Sequence, residues 1–485
     1  MKNQINRREF LELTAAGCAM YLFRPGIPAY GADSCRKGLI SPGCRKSKVK
    51  IARIYLANPS NPWSLWPKPD LDLKGEIRFY EAEFAKLQDE LRDVEFVADE
   101  LVTSAEQVGA VKDKLNNVDG VLVIQLGMGI VGILEEILRL GHPTMVFAVP
   151  YSGHGWTSFG RMLKEPIGAK MGCMLTTDYD QLAVAIRPFR AIHHLREAKI
   201  LNVTTGSFAE YADEVKSRFG TEIKRIELQR VLDAYNAIGD LQAKTETDRW
   251  IREAEMVVEP PREDIFKSCK LALAFEALLD EEEATVMTVD CYGTMWDKTI
   301  MLPAYPCLGF GRLNGMGLGG MCESDLRSAM THILFQGLVG KPGFISDPTV
   351  DESKDSIILA HCMGTPKMDG PDKPSAPYKL RTVMERREGV VTQVKMRIGQ
   401  KVTQAWLAET DRLLYFTGEI VDAPVGLEAD RGCRTKITVK VDGDIEKLWK
   451  NWSSGLHRQT CYGDITKELE YFCRFKEIEM VNEAV

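Results

Sequence analysis

The sequence has no excess of positive charge. Its 62 lysine and arginine residues are outnumbered by 69 aspartate and glutamate residues, which gives a formal net charge of −7. A surface that binds nucleic acid through clustered lysine and arginine is therefore not expected.

Closely spaced cysteine pairs are also missing. Twelve cysteines are spread over 485 residues and none stands in a CxxC pair, so neither a zinc ribbon nor a thioredoxin-type dithiol is predicted. The cysteines from Cys173 onward are typical of small, buried apolar side chains. Cys35 and Cys44 lie close together in a segment rich in glycine, proline and lysine, and they could form a disulfide after export.

The N-terminus lacks an apolar run long enough for a membrane span, which takes about 20 residues. Arg7 and Arg8 precede a moderately apolar stretch, 13–23, and small residues follow near position 30. This order is typical of a secretory leader, and the arginine pair followed by Phe-Leu resembles a twin-arginine signal. We therefore expect residues 1–32 to be a signal peptide for the twin-arginine export machinery, which exports folded proteins, and the protein to be periplasmic or otherwise exported, without a stable membrane anchor. A cytoplasmic amphipathic helix is the alternative.

Short β-rich runs alternate with amphipathic helical stretches from Lys48 onward. This alternation predicts an α/β fold with mostly parallel sheets, arranged as two Rossmann-like, doubly wound domains over 48–197 and 198–350. After about Asp351 the helical periodicity gives way to short alternating runs separated by turn signals. A β-rich, barrel-like C-terminal domain, closed by a helix over 465–472, is therefore predicted for 351–485.

A glycine motif after the third predicted strand invites a dinucleotide interpretation. Gly127, Gly129 and Gly132 fit G-x-G-x-x-G between a strand and a helix. However, the next strand, 144–149, ends in Val-Pro without an acidic residue that could bind a ribose. The glycines are better explained by a tight turn and close helix packing, and no nicotinamide cofactor is predicted.

Glu323 and Asp347 flank a predicted helix, 324–340, and a predicted strand, 342–346. A helix of about 16 residues advances about 24 Å and a strand of about six residues returns about 20 Å, so both carboxylates are expected at one sheet edge. Two like charges brought together need a proton or a cation, and hard divalent ions favour carboxylates. The alternative is that Glu323 is an acid near a helix N-terminus and Asp347 a solvated turn residue.

Three histidines lie in the same half of the chain. His361 follows the apolar strand 357–360, and His457 stands in Ser-Gly-Leu-His-Arg before the last predicted helix. His332 lies within the helix after Glu323 and is expected to be a packed core residue. For His361 and His457 the residue pattern alone leaves metal ligation open.

Several segments resemble the metal-site region of the L-fucose and L-arabinose isomerases. In the fucose enzymes a Glu-x-Asp acid is followed by a metal-binding Asp on the next strand, as in Glu323-Ser-Asp325 and Phe-Ile-Ser-Asp347. Ile-Leu-Ala-His361 resembles the arabinose-isomerase segment that supplies a histidine ligand. Ser-Gly-Leu-His457 resembles the C-terminal segment that supplies the last histidine in both families. The three-part layout also matches over most of 48–485. Because Asp347 is the fucose-type feature and His361 the arabinose-type feature, the chain looks intermediate between the two families.

The resemblance implies a metal-dependent aldose–ketose isomerase. Glu323, Asp347, His361 and His457 would bind a divalent cation, with Mn²⁺ first and Mg²⁺ or Co²⁺ as alternatives. Glu323 and Asp347 would also act as acid and base on an open-chain sugar through a cis-enediol, and Asp325 would support the ligands. Members of these families form trimers or hexamers, so a homo-oligomer is expected. Because the leader is atypical for cytoplasmic isomerases, an epimerase or dehydratase on the same scaffold and a non-catalytic exported carbohydrate-binding protein stay open.

Overall fold

The computed structural model describes residues 47–60, 66–427 and 431–485. The predicted signal peptide, 1–32, and the possible disulfide between Cys35 and Cys44 lie outside the described residues. Within the described ranges, none of the helices combines the length and apolar character needed to cross a bilayer.

The first sheet confirms the predicted βαβ alternation, because its five strands are all parallel and follow the order β2-β1-β3-β4-β5. The strands are β1 (Val49–Leu56), β2 (Val94–Val102), β3 (Gly120–Gln125), β4 (Thr144–Ala148) and β5 (Met171–Leu175). The α-helices of this region are α1 (Leu73–Lys86), α2 (Ala105–Val111), α3 (Val131–Arg139), α4 (Trp156–Met162) and α5 (Gln181–Glu197).

Both faces of this sheet are buried, as the unbroken apolar run of β3 indicates. Leu122 and Ile124 pack into one apolar core, whereas Val121 and Val123 pack into another. Successive side chains of a strand point to opposite faces, so the two cores lie on the two sides of the sheet.

The glycine motif after β3 forms a turn. Gly129 has φ of 75°, a conformation that glycine adopts at low cost, and its carbonyl accepts a hydrogen bond from the Asn58 amide at 3.0 Å. A Cβ atom on Gly132 would meet nothing within 4 Å. The predicted tight turn is confirmed, but the expectation that Gly132 is needed for close helix packing is wrong.

The second sheet has four parallel strands in the order β10-β9-β6-β7. They are β6 (Lys199–Val203), β7 (Glu222–Arg225), β9 (Val286–Val289) and β10 (Gly319–Met321). The α-helices are α6 (Ala209–Phe219), α7 (Leu228–Ala237), α8 (Asp240–Glu253), α9 (Arg262–Glu281), α10 (Tyr292–Met295), α11 (Cys307–Gly315) and α12 (Leu326–Val339). A small third sheet joins β8 (Met256–Val257), β13 (Tyr378–Arg381) and β14 (Val391–Val394).

The C-terminal region contains a closed barrel of six antiparallel strands, which confirms the predicted barrel-like end. The order is β15-β18-β11-β12-β17-β16, and pairing of β16 with β15 closes the ring. The strands are β11 (Phe344–Asp351), β12 (Ser356–His361), β15 (Lys401–Glu409), β16 (Arg412–Asp422), β17 (Thr435–Val441) and β18 (Arg458–Tyr462), with β19 (Glu479–Asn482) parallel to β16. The division into domains at the predicted positions stays a prediction.

Two helices accompany the barrel, α13 (Ile445–Asn451) and α14 (Thr466–Lys476). Short 3-10 helices lie at Lys112–Leu115, Pro150–Ser152, Pro166–Gly168 and Glu352–Lys354. Helix α14 contacts the first sheet as well as the barrel: Phe475 stacks on Phe189 of α5 with ring centroids 5.4 Å apart, and Leu469 shares a core with Leu413 of β16. The last helix therefore links the barrel to the first sheet.

Candidate metal centre

The four predicted ligands come from two sheets. Glu323 follows β10 of the second parallel sheet, whereas Asp347 lies within β11 of the barrel. The expectation that a strand ends at Asp347 and that both carboxylates lie at one edge of one sheet is therefore wrong. The strand continues to Asp351 because its pairing with β12 extends from Asp347 to that residue.

Strand pairing in the barrel brings the other three residues together. Strand β11 lies between β12 and β18, with Asp347 opposite Ala360 and Ser346 opposite Arg458. His361 is the chain neighbour of Ala360, and His457 is the chain neighbour of Arg458. The register of three adjacent strands thus places Asp347, His361 and His457 side by side.

The side chains of these residues converge on one point. Glu323, His361 and His457 each place one potential ligand atom so that all three atoms lie within 4.8 Å of one another. His457 Nε2 lies 3.8 Å from Glu323 Oε2 and 3.2 Å from Asp347 Oδ1. The two histidines are buried, but the side chains of Glu323 and Asp347 keep 23% and 33% of their surface exposed. The cluster is therefore open to a ligand from solvent on its carboxylate side.

The backbone that presents Glu323 is strained. Glu323 and Ser324 have φ of 58° and 56°, and neither is glycine. This left-handed conformation costs about 1–2 kcal/mol per residue. Two hydrogen bonds hold the turn: Ser324 N donates to Val289 O at 3.1 Å and Ser324 Oγ donates to Asn202 Oδ1 at 2.7 Å. Anchoring on β6 and β9 offsets the strain and fixes the direction of the carboxylate, an arrangement common at functional sites.

The pKa values of the two carboxyl groups are shifted in opposite directions. Burial raises the pKa of Glu323 to about 7, with the charges of Asp347 and Asp325 adding to the shift and His457 opposing it. Burial also acts to raise the pKa of Asp347, but the contact with His457 and the charge of that ring outweigh it and lower this pKa. Near neutral pH, Asp347 is ionised, whereas Glu323 is partly protonated.

The two histidines differ even more strongly. Burial lowers the pKa of His361 to about 3, so its imidazole is neutral near neutral pH. Burial also acts to lower the pKa of His457, but Asp325, Asp347 and Glu323 outweigh it and raise this pKa to about 10. His457 is therefore protonated in the metal-free protein. Its proton serves there as the positive charge between the carboxylates, and a cation would replace it.

The hydrogen bonding of His361 constrains how it could bind a metal. Its Nδ1 accepts the N–H of Met363 at 3.0 Å, so the neutral ring carries its proton on Nε2. Ligation through Nε2 would require this proton to move to Nδ1 and the bond to Met363 to break. Ligation through Nδ1 would also break the bond from Met363, because the cation would need the lone pair that accepts it.

Asp325 both caps a helix and faces a proposed ligand. It is the N-cap of α12, where its Oδ1 accepts the N–H of Ser328 at 2.9 Å. Its Oδ2 accepts the Ser328 hydroxyl at 2.7 Å and lies 3.6 Å from His457 Nδ1. A carboxylate beside the second nitrogen of a histidine is typical of metal sites, because it orients the ring and raises its basicity.

These residues fit a divalent cation. Asp347 Oδ1 is buried without a hydrogen-bond partner among the described residues, since its contact with His457 lacks hydrogen-bond alignment. A buried acceptor oxygen without a hydrogen bond destabilises the fold unless a cation or a water molecule binds to it. Two carboxylates and the imidazole of His457 are donors that suit Mn²⁺, Co²⁺ and related ions, and His361 would join them once its bond from Met363 is broken.

Three further residues near the site carried no signal in the sequence. Asn202 is buried in β6 and accepts the hydrogen bond from Ser324. Tyr292 is half-exposed, and the charge of Glu323, with burial, raises the pKa of its phenol to about 12. Cys322 stands next to Glu323, with its sulfur 2.9 Å from that of Cys291. They follow or end buried strands in ordinary sequence contexts, so only the three-dimensional arrangement identifies them.

His332 is a packed core residue, as predicted. It is fully buried, its Nδ1 accepts the N–H of Gly343 at 3.2 Å, and its Nε2 lies 3.1 Å from Leu318 O. Both ring nitrogens are used within the core, and the residue takes no part in the cluster.

No protein-family model matches the chain, and a search of curated proteins finds no match. The resemblance to the sugar isomerases therefore stands on the quoted motifs alone.

Proposed function

We propose that the protein is a metal-dependent aldose–ketose isomerase. The convergence of Glu323, His361 and His457, with Asp347 in contact with His457, carries the proposal. Two carboxylates and two imidazoles reach this point from a parallel sheet and from a barrel. We also propose that the two parallel sheets are the centres of Rossmann-like, doubly wound domains.

The proposed ligands would hold Mn²⁺, with Mg²⁺ or Co²⁺ as alternatives, and such a cation supplies Lewis-acid polarisation of a sugar carbonyl. The chain itself supplies the proton transfers. One carboxylate takes the proton from C2 of the open-chain aldose and the other delivers a proton at C1, while the hydroxyl proton moves from O2 to O1. The intermediate is a cis-enediol, and the ketose results without net oxidation.

The charges and the exposure of the two carboxylates support this division of labour. Their pKa values are shifted in opposite directions, which is the arrangement that separates a base from an acid. Both are partly exposed, so a substrate can reach them, whereas His361 and His457 are buried and serve to bind and orient. The half-exposed ring of Tyr292 offers a surface for a sugar beside Glu323.

Two other functions would use the same residues. An epimerase or dehydratase would keep the cation and the carboxylates but would give no ketose. A non-catalytic, exported carbohydrate-binding protein would bind sugar without needing Glu323 as an acid or base.

Deuterium exchange tests the proposal. Purified, Mn²⁺-loaded protein is incubated in D₂O with a panel of aldoses, and NMR follows label at C2 and formation of ketose. The proposal requires both with at least one aldose, and a loss of about 10²–10⁴-fold in Glu323→Gln. Glu222→Gln, an exposed acid of β7, is the control and should keep full activity. Exchange with a C2 epimer and no ketose would favour the epimerase, and no exchange on the whole panel would refute the isomerase.

Export and assembly belong to the same proposal and have their own tests. Residues 1–32 fused to a reporter should direct export, and replacement of Arg7 and Arg8 by lysine should abolish it. Light scattering of the protein without these residues should give a trimer or a hexamer. A cytoplasmic reporter or a monomer would contradict the respective part.

A further inference from the structure

Two thiols and a carboxylate lie together beside the barrel, outside the four proposed ligands. Cys362 follows β12, Glu385 lies in the turn between β13 and β14, and Cys433 precedes β17. Cys362 Sγ lies 3.5 Å from Glu385 Oε2, and Cys433 Sγ lies 3.5 Å from Glu385 Oε1. One ligand atom from each residue lies within 4.8 Å of the other two.

Each sulfur–oxygen distance is that of a tetrahedral thiolate–carboxylate site, with the two sulfurs beside different oxygens of Glu385. With Zn–S of about 2.3 Å and Zn–O of about 2.0 Å, tetrahedral angles place sulfur and oxygen ligands about 3.5 Å apart and two sulfurs about 3.8 Å apart. Both sulfurs are directed at the same carboxylate. Three segments distant in the sequence therefore already hold their donor atoms at about the spacing that a cation would require.

The three side chains lie between an apolar cluster and solvent. Cys362 is buried in an apolar cluster with Cys307, Val383 and Val391, and Cys433 packs against this cluster. Glu385 is exposed. A cation could thus enter from the carboxylate side, where water could complete the tetrahedron, while the apolar side shields the sulfur of buried Cys362.

We infer that Cys362, Cys433 and Glu385 form a second cation site, which takes a thiophilic divalent cation such as Zn²⁺. Binding releases the two thiol protons to solvent, and the cation is held by two thiolates, one carboxylate and a water molecule. Soft sulfur ligands select zinc over Mn²⁺ and Mg²⁺, so this site and the cluster around Glu323 differ in their preferred ion. The cation would tie the end of β12, next to His361, to the β13–β14 turn and to the start of β17.

Cobalt alone is the probe for this site. The full-length protein is reduced, stripped with a chelator and titrated with Co²⁺, while absorption is followed in the near ultraviolet, where thiolate-to-cobalt charge transfer occurs. The wild type should show this band, and Zn²⁺ should displace the cobalt. Cys433→Ser should lose the band and one equivalent of bound cobalt, and Glu385→Gln should weaken the titration at least tenfold. Cys473→Ser, a buried thiol of α14, is the matched control and should retain the band.

Three outcomes would overturn the inference. One is the absence of the band in the reduced wild-type protein. The second is a band that survives in Cys433→Ser but disappears in Cys291→Ser, which would assign the thiolates to Cys291 and Cys322 beside Glu323. The third is a Cys362–Cys433 disulfide, without bound metal, in protein isolated without reductant.

If Cys433→Ser does not fold, as judged by circular dichroism, the exposed Glu385→Gln variant decides. The measurement records no turnover, so its failure is distinguishable from failure of the isomerase proposal.

Discussion

Asp325 offers a substitution that separates metal binding from helix capping. Its carboxylate caps α12 through Ser328 and also faces His457 Nδ1 at 3.6 Å. Asparagine is about as good an N-cap as aspartate, so Asp325→Asn should keep the cap. It removes the negative charge beside His457 and can place an amide N–H towards the ring instead. Loss of such a partner typically costs 10–100-fold in metal affinity, which is about 1.4–2.8 kcal/mol.

The assay is calorimetric titration of Mn²⁺ into chelator-treated protein, with denaturant unfolding measured in parallel. Asp325→Asn should weaken Mn²⁺ binding 10–100-fold and keep the helix cap, so the metal-free protein should lose only the stability that the Asp325 charge gives to protonated His457. Asp325→Ala should weaken binding similarly and also lose about 1 kcal/mol of stability, because the cap is gone. Asp444→Ala removes the cap of α13, where Asp444 accepts the N–H groups of Glu446 and Lys447, and should lose stability alone. Wild-type Mn²⁺ affinity in Asp325→Asn would refute the role assigned to this carboxylate.

Three further predictions concern charge in the interior. Burial lowers the pKa of His332 to about 4, so the folded state binds fewer protons than the unfolded one and the free energy of unfolding should rise with pH between about 4 and 6.5. From pH 5 to pH 7 this gain is about 2 kcal/mol; a His332→Gln variant should show a flatter pH profile, and an unchanged profile would contradict the assignment. Arg458 and Glu483 form a buried ion pair, so Glu483→Ala should cost about 3–5 kcal/mol in denaturant unfolding, and a loss below about 1 kcal/mol would contradict it. A cation that replaces the proton on His457 should release about one proton at pH 8, seen by calorimetry in buffers of different ionisation enthalpy, and no release would contradict it.

Strand positions could be predicted from the sequence where an apolar or alternating run ended in clear turn signals. Apolar or alternating runs at 49–56, 120–125, 401–409 and 435–441 predict strands, and β1, β3, β15 and β17 have these bounds. Such runs specify burial locally, since the period of two decides which side chains face a core. Sheet membership was not predictable in the same way. The run that contains Asp347 follows a helix of the α/β pattern, yet it pairs with β12 and β18 of the barrel.

For the candidate site too, the residues could be predicted but their arrangement could not. Glu323, Asp347, His361 and His457 could be named from short motifs, because each stands in a recognisable context. Their convergence depends on the register of β11 between its two neighbours, which no local pattern specifies. The bond from Met363 to His361 is likewise a property of the folded chain. Cys362, Glu385 and Cys433 are separated by long stretches without metal-ligand spacing, so only the fold brings them together.

Anomalous diffraction from crystals soaked with Mn²⁺ tests whether the cluster around Glu323 binds a cation. We expect an anomalous peak among the carboxylates of Glu323 and Asp347 and the imidazoles of His361 and His457, lost in Glu323→Gln. A manganese-free cluster in saturated crystals, or a peak held by other residues, would contradict it.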